Sequence, residues 1–320
     1  MTKKTTEQLF RTPVNVAIPL RKVGIADKFV FLGSCFAEHI GARFLENRLQ
    51  TVVNPLGVMY NPMSIARLLT TSVSDPNLDY VNHRDMVHTW LGDSTLSRPT
   101  AEACKQTTDQ ALEQLHTALN DADYLFLTLG TSRYYVYRAT SGVVANCHQL
   151  PGKEFMEKDL SVSEIVECLG SALEPLFKKN PHLYVVFTVS PYRYAKYGFH
   201  ESQLSKARLL LAVEELSRLY PGRVEYFPAY EILMDELRDY RFYAEDMLHP
   251  SQQAVDYIWQ RLTETWMEQS VLDFLDRWKP VRQALNHRPI NADDPAYKLF
   301  QQNLSEQLAA LRKDYPFLSL

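Results

Sequence analysis

The sequence predicts an α/β fold on a mostly parallel five-stranded sheet, and three observations carry that expectation. Five short apolar runs recur along the chain, at 29–32, 50–53, 124–129, 184–189 and 224–227. Stretches with apolar residues three or four apart separate them, the period of a helix lying on a core. At 320 residues, with 46% hydrophobic and 12% aromatic side chains, the chain is long enough for a large single core.

The first run, 29–32, ends at Gly33-Ser34-Cys35, after which Phe36, Ile40 and Phe44 recur at helical spacing and predict a helix over 37–47. The runs that follow alternate with expected helices at 62–71, 101–120, 162–178 and 205–220. A last helix of the series is expected over 251–268, where Ala254, Ile258 and Leu262 follow a four-residue step. Such alternation is the pattern of βαβ units.

Two segments read as insertions, near 81–100 and near 133–156. In the second, 134–138 and 143–147 flank "ATSG", a hairpin pattern. Both insertions follow candidate strands, and open α/β sheets bind ligands at the carboxyl ends of their strands. This gives an N-terminal arm over 1–27, a main domain over 28–269 and a polar helical extension over 270–320. That extension is a candidate to pack on the main domain or to mediate a homodimer.

A net charge of −4 and a pI near 6.2 argue against a general electrostatic grip on nucleic acid or anionic membrane. No run approaches the roughly 18 to 20 apolar residues of a membrane helix, and the first residues lack the apolar stretch of a signal peptide. The cysteines, Cys35, Cys104, Cys147 and Cys168, are scattered without a CxxC pair. That usage favours reduced thiols and a cytoplasmic protein.

A serine on a tight strand-to-helix turn is lifted to the rim of the sheet, where N–H groups at the helix start can stabilise an oxyanion. Ser34 therefore reads either as a nucleophile or as the cap of the following helix. Late in the chain, "YAEDMLHPS" sets Asp246 three residues before His249. At that spacing a carboxylate can hold Nδ1–H and leave Nε2 free as a base. The plainer alternative is a loop histidine ahead of a helix capped by Ser251. Cys35 is the rival nucleophile beside Ser34, intrinsically the stronger as a thiolate, but neighbours on a turn point different ways and only one can face His249.

"FLGSCFAEHIG" resembles the signature of the GSCFA family. "NPLGVMYNP", "LTLGTSRYY", "VANCHQLPGKEF", "FTVSPYR", "SKARLLLA" and "DMLHPS" resemble the family too, and together they span most of 29–268. The family in turn resembles the SGNH (GDSL-like) hydrolases. That resemblance implies a three-layer α/β/α sandwich of the SGNH/flavodoxin-like type, with an inserted hairpin and a C-terminal helical extension. It implies Ser34 as nucleophile, His249 as base and Asp246 as its orienter. The oxyanion hole would be the N–H of Ser34 and that of Gly57. Where the related hydrolases have Gly-x-Asn, this chain has Gly130-Thr131-Ser132. The missing donor would be worth about 3 kcal/mol, and Thr131, Asn54 or Asn146 is the candidate to replace it.

Further polar residues are expected around the substrate: His88 and His148 in the insertions, Gly130, Asn146, and Arg193 for a carboxylate or phosphate. Lys196 and Lys206 share Arg193's stretch, which reads equally as a solvated loop running into a helix. Trp90 and the inserted tyrosines suit stacking on sugar rings or simply filling the hairpin's core. Cys147, His148 and His88 lack the spacing of a metal motif, so no metal and no cofactor is expected. The reading is an SGNH-type esterase or acyltransferase on a small acyl ester, with O-acetylated carbohydrate the expected glycan substrate. The alternatives are a non-catalytic ligand-binding module on the same fold and, behind it, a metal-assisted hydrolase.

Overall fold

The computed structural model describes residues 11–287 and 295–319. Five parallel strands form the central sheet: β1 (Lys28–Gly33), β2 (Gln50–Val53), β5 (Tyr124–Leu129), β9 (Tyr184–Val189) and β10 (Val224–Tyr226), in the order β10-β9-β5-β1-β2. The expected sheet is there, and for a physical reason. The three inner strands are buried on both faces and so read as nearly continuous apolar runs, while the edge strands, QTVV and VEY, are only partly buried.

Alternation along the strands sends two sets of side chains to opposite faces. Phe29, Phe31, Tyr124, Phe126 and Tyr184 form an aromatic layer under α1 (Cys35–Glu46) and α7 (Gln252–Trp266). Val30, Leu32, Leu125, Leu127, Val185 and Phe187 face the other way. That face is covered by α2 (Pro62–Thr70), α3 (Ala101–Asp121), α4 (Val162–Lys179) and α5 (Phe199–Leu219). The result is the three-layer sandwich. α5 begins at Phe199, ahead of the expected 205, because its polar, exposed opening turns give no apolar periodicity.

The first insertion is a hairpin of β3 (Tyr80–His83) and β4 (Met86–Thr89). The second is a three-stranded sheet of β7 (Gly142–Val144), β6 (Arg133–Tyr137) and β8 (Phe155–Asp159). The sequence FMEKD of β8 is mostly charged and exposed, which hid it as a strand. Trp90, Val144 and Phe155 make the small core between the insertions. Between β10 and α7 the chain makes the turn α6 (Ala229–Glu231), which runs on into a π-helical turn over Ile232–Glu236.

Of the N-terminal arm, Val14 bonds to Glu236 and Arg261, and Arg21 reaches Asp123 and the His182 carbonyl at the amino ends of β5 and β9; residues 1–10 lie outside the described residues. The phenol of Tyr124 donates to the Arg21 carbonyl, and Val23 pairs with Met267. At the other end, α8 (Gln269–Leu285) and α9 (Pro295–Asp314) enclose Phe274, Trp278, Val281, Leu311 and Leu318. The Trp278 indole donates to the carbonyl of Glu46, the last residue of α1, at 2.9 Å. Residues 288–294 and 320 of the extension lie outside the described residues. Among the described residues no helix is long and apolar enough to cross a membrane.

Candidate active site

The carboxyl ends of four central strands are followed by Ser34, Asn54, Gly130 and Ser190, so these residues gather at one edge of the sheet. At the end of β1, Gly33 takes φ +133°, and a Cβ there would lie 2.2 Å from the Thr128 carbonyl oxygen. Only glycine fits so close an approach in that conformation. Asn54, itself at φ +40°, brackets Gly33 from the β2 side. Its Oδ1 accepts from the Gly33 N–H at 2.9 Å and its Nδ2 donates to the Gly33 carbonyl at 3.3 Å. Asn54 thus fixes the turn that presents Ser34 and is not among the residues lining the cavity.

Ser34 is 1% exposed and caps α1, its Oγ accepting from the Phe36 N–H at 3.3 Å. It also lines a cavity of about 370 Å³, together with Cys35, Tyr60, Asn61, Tyr192 and His249. On the opposite wall, Nδ1 of His249 is 2.5 Å from Asp246 Oδ2, while Asp246 Oδ1 accepts the N–H groups of Leu248 and His249 at 2.9 Å each. Those three bonds to its ionised form hold the Asp246 carboxyl down to about 2. Tyr192 lies against the imidazole with ring centroids 4.2 Å apart. The loop is tied down by the Arg193 N–H donating to the Leu248 carbonyl at 3.0 Å. Ser34 and His249 share the cavity without a direct hydrogen bond among the described residues.

Cys35 stands beside Ser34 on the same cavity. Burial first, and the nearby Glu38 second, push its thiol pKa up, which disfavours the thiolate that a cysteine nucleophile needs.

The expected oxyanion donors are corrected. The Gly57 N–H is spent inside its own turn on the Asn54 carbonyl at 2.8 Å, and the Ser34 N–H reaches the Thr128 carbonyl at 3.2 Å. Gly57 is a glycine for packing: at φ +83°, a Cβ would sit 2.0 Å from the Asp93 carboxyl carbon. The N–H groups of Gly130 and Thr131 both donate to the Tyr60 carbonyl. The Thr131 hydroxyl accepts from the Arg133 N–H and meets Ser205 Oγ, each at 3.1 Å. Two donors on this wall are not so consumed. The Cys35 N–H opens α1, where first-turn donors lack helical partners. Asn61, 5% exposed, caps α2 through Oδ1, which accepts from Ser64 at 2.8 Å. That bond orients the amide and leaves Nδ2 for the cavity that Asn61 lines.

Other expected substrate contacts are also corrected. His88 is buried with Nδ1 on Ser97 Oγ at 2.6 Å and Nε2 on the His83 carbonyl at 3.1 Å. His148 is buried with Nδ1 on Ser94 Oγ and Nε2 on the Thr89 carbonyl. The two rings stack 4.5 Å apart, and burial holds His148 neutral, with a pKa down at about 4. Both ring nitrogens of each are in use, so neither histidine faces substrate. Trp90, 2% exposed, packs on Tyr137 and Phe155 and belongs to the insertion core. Arg193 lines a different cavity. Asn146 and Gly130 do line the Ser34 cavity; Asn146 Oδ1 accepts from the His148 N–H.

Two features escaped the sequence. Lys206 is no surface cation: it is buried, and its ammonium donates to the Gly130 and Ser190 carbonyls at 2.7 Å each, tying the ends of β5 and β9 together beneath the cavity. Burial pulls its pKa down to about 7. Lys196 instead donates to the Tyr135 hydroxyl at 2.6 Å, on a rim that also carries Tyr60, Tyr192 and Tyr194. Among the described residues, no three His, Cys, Asp or Glu side chains converge as a metal site.

The model of the GSCFA family matches residues 28–262, and that of the GSCFA domain protein, C-terminal domain, matches residues 278–320. No curated protein matches the chain. Among solved structures, an acetyl xylan esterase (Est2A) from the rumen bacterium Butyrivibrio proteoclasticus is 12% identical, with a TM-score of 0.34. The match covers 80% of this chain and 67% of that one.

Proposed function

The chain belongs to the GSCFA family, and from that premise we propose that it is a serine hydrolase or acyltransferase acting on a small acyl ester. One observation carries the reading. A serine on the turn out of β1 and a histidine braced by a carboxylate at 2.5 Å face the same cavity at the carboxyl edge of the sheet. In this reading His249 Nε2 takes the proton of Ser34 Oγ as the oxygen attacks the ester carbonyl, and Asp246 holds the imidazole in the tautomer that allows it. The Cys35 N–H and Asn61 Nδ2 receive the developing oxyanion. His249 then gives the proton to the leaving alkoxide, and water or an acceptor hydroxyl releases the acyl group from Ser34.

The tyrosine rim supports a glycan ester, since phenol faces stack on sugar rings and their hydroxyls hydrogen-bond to them. The four unpaired thiols fit a reducing cytoplasm. A ligand-binding module on the same fold is the second reading. It is favoured by Ser34 Oγ serving as a helix cap without a hydrogen bond to His249.

The test is fluorophosphonate labelling and p-nitrophenyl acetate hydrolysis by the wild type, Ser34→Ala, Cys35→Ala and His249→Ala. Labelling and turnover retained only in the wild type and Cys35→Ala support the serine mechanism. An inert wild type, or a label that survives Ser34→Ala, sinks it.

A further inference from the structure

A second cavity, of about 320 Å³, lies beside the loop that carries His249. Neighbouring residues divide between the two cavities: Tyr192 and His249 line the first, Arg193 and Met247 the second. Its wall holds Leu233 and Met234 with three large apolar side chains that face solvent, Phe199 at 54% exposed, Tyr240 at 76% and Met247 at 52%. Clustered exposed apolar groups of this kind mark binding surfaces more often than scattered ones do.

Arg193 is half-buried at one end of this wall. Its Nη1 donates to Gln203 Oε1 and to the Tyr230 hydroxyl at 3.1 Å each and touches Met234 Sδ, and its guanidinium lies 5.6 Å from the centre of the Phe199 ring. All of these partners are neutral. Among the described residues no carboxylate forms an ion pair with Arg193, although the guanidinium has donors on Nη2 and Nε still to give. The other charges on this wall are paired: Arg238 lies 3.6 Å from Asp235, and the one carboxylate that lines the cavity among the described residues, Asp239, lies 4.0 Å from the Arg241 guanidinium.

A second feature points the same way. Phe199 is the first residue of the 21-residue helix α5, whose N-cap, Gly198, offers no side-chain acceptor. The first N–H groups of α5 are therefore uncapped, and the positive end of the helix dipole stands next to the unpaired guanidinium.

We propose that this cavity binds a small organic anion, a carboxylate or phosphate monoester on an apolar body. Arg193 grips two anionic oxygens with Nη2 and Nε, as its planar fork allows. The first turn of α5 adds to the positive field, and the apolar body lies along Phe199, Met234 and Tyr240. The site does not depend on the hydrolase reading, because its occupancy is a matter of binding alone.

Calorimetric titration of the full chain with phenyl phosphate, phenylacetate, inorganic phosphate and uncharged benzyl alcohol tests the proposal. Phenyl phosphate or phenylacetate binds the wild type at least about tenfold more tightly than benzyl alcohol, and Arg193→Met loses about that factor. The preferred headgroup tells phosphate from carboxylate. Arg193→Lys, which keeps the charge but not the fork, falls between, with thermal melts run to show that each variant is folded. Because Tyr240 is mostly exposed, Tyr240→Ala tests the apolar wall without disturbing the core and weakens the aromatic probes alone. Equal affinity for charged and neutral probes, an unchanged affinity in folded Arg193→Met, equal affinity for inorganic and phenyl phosphate, or no saturable heat with any probe overturns the proposal.

Discussion

Replacing Asn61 by Asp separates two jobs that one side chain performs. Oδ1 accepts the Ser64 N–H at 2.8 Å and caps α2, and Nδ2 is the amide donor assigned to the oxyanion. Asp caps a helix as well as Asn does and suits the positive end of the dipole, so α2 keeps its stability to within ~1 kcal/mol. The donor, however, becomes an oxygen that repels the developing negative charge. Loss of one such donor costs about 10²–10³ in kcat, or roughly 2.7–4 kcal/mol of transition-state stabilisation. Asn61→Ser is the neutral companion, keeping the cap but too short to reach the reacting oxygen. Asn61→Ala loses the cap as well, for about 1 kcal/mol. The assay is kcat and KM for p-nitrophenyl acetate beside thermal melts in the same buffer. The assignment fails if Asp and Ser variants that melt like the wild type keep kcat within about threefold, a barrier change of less than ~1 kcal/mol. It also fails if kcat falls only in step with the melting temperature.

Three further outcomes follow from the same geometry. Tyr192→Ala, which removes the ring lying 4.2 Å from the imidazole, lowers kcat more than it changes KM, while Tyr192→Phe stays near wild type. Lys206→Met strands the carbonyls of Gly130 and Ser190 at about 1–3 kcal/mol each, read as a lower denaturation midpoint. With its folded pKa at about 7 against 10.5 unfolded, Lys206 adds stability as pH rises through that window and withdraws it as pH falls through 7; the variant loses that slope. His148, at about 4 against 6.5, makes the wild type lose stability from pH 6.5 down to 4, because the unfolded chain binds the proton first. His148→Gln flattens the melting temperature across that window, and an equal slope in both proteins refutes the assignment.

The sheet was legible because the inner strands, such as Tyr124–Leu129 and Tyr184–Val189, are buried on both faces and so are apolar at every position but one threonine each, Thr128 and Thr188, which bond to each other. β8 was not, since Glu157, Lys158 and Asp159 turn outward on a small sheet that needs only Phe155 inside. At the site, Ser34, Asp246 and His249 stood out because their chemistry depends on local spacing. Gly57 misled, since a glycine in the right loop says nothing about where its N–H points; that is settled by the Asn54 carbonyl three residues before it in the same turn. Asn61 drew no notice in the sequence, where it only precedes the helix-opening Pro62; that its amide also faces the cavity needs the third dimension. Lys206 likewise sits in a helical stretch whose pattern gives a charged residue no reason to be inside, and only the two carbonyls beneath the cavity explain it.

The cavity that holds Ser34 is walled by two thiols, Cys35 next to the serine and Cys147 across from it. Burial raises both, Cys147 to about 11, so alkylation at neutral pH is slow. Once attached, though, an adduct on either sulfur takes up space in about 370 Å³ that the acyl chain must also occupy. Inactivation by iodoacetamide or a maleimide would therefore report obstruction, and a cysteine mechanism inferred from it would be an artefact of where the sulfurs stand. Protection of the protein by Cys35→Ser and Cys147→Ser together, with turnover intact, is what would separate a blocked doorway from a spent nucleophile.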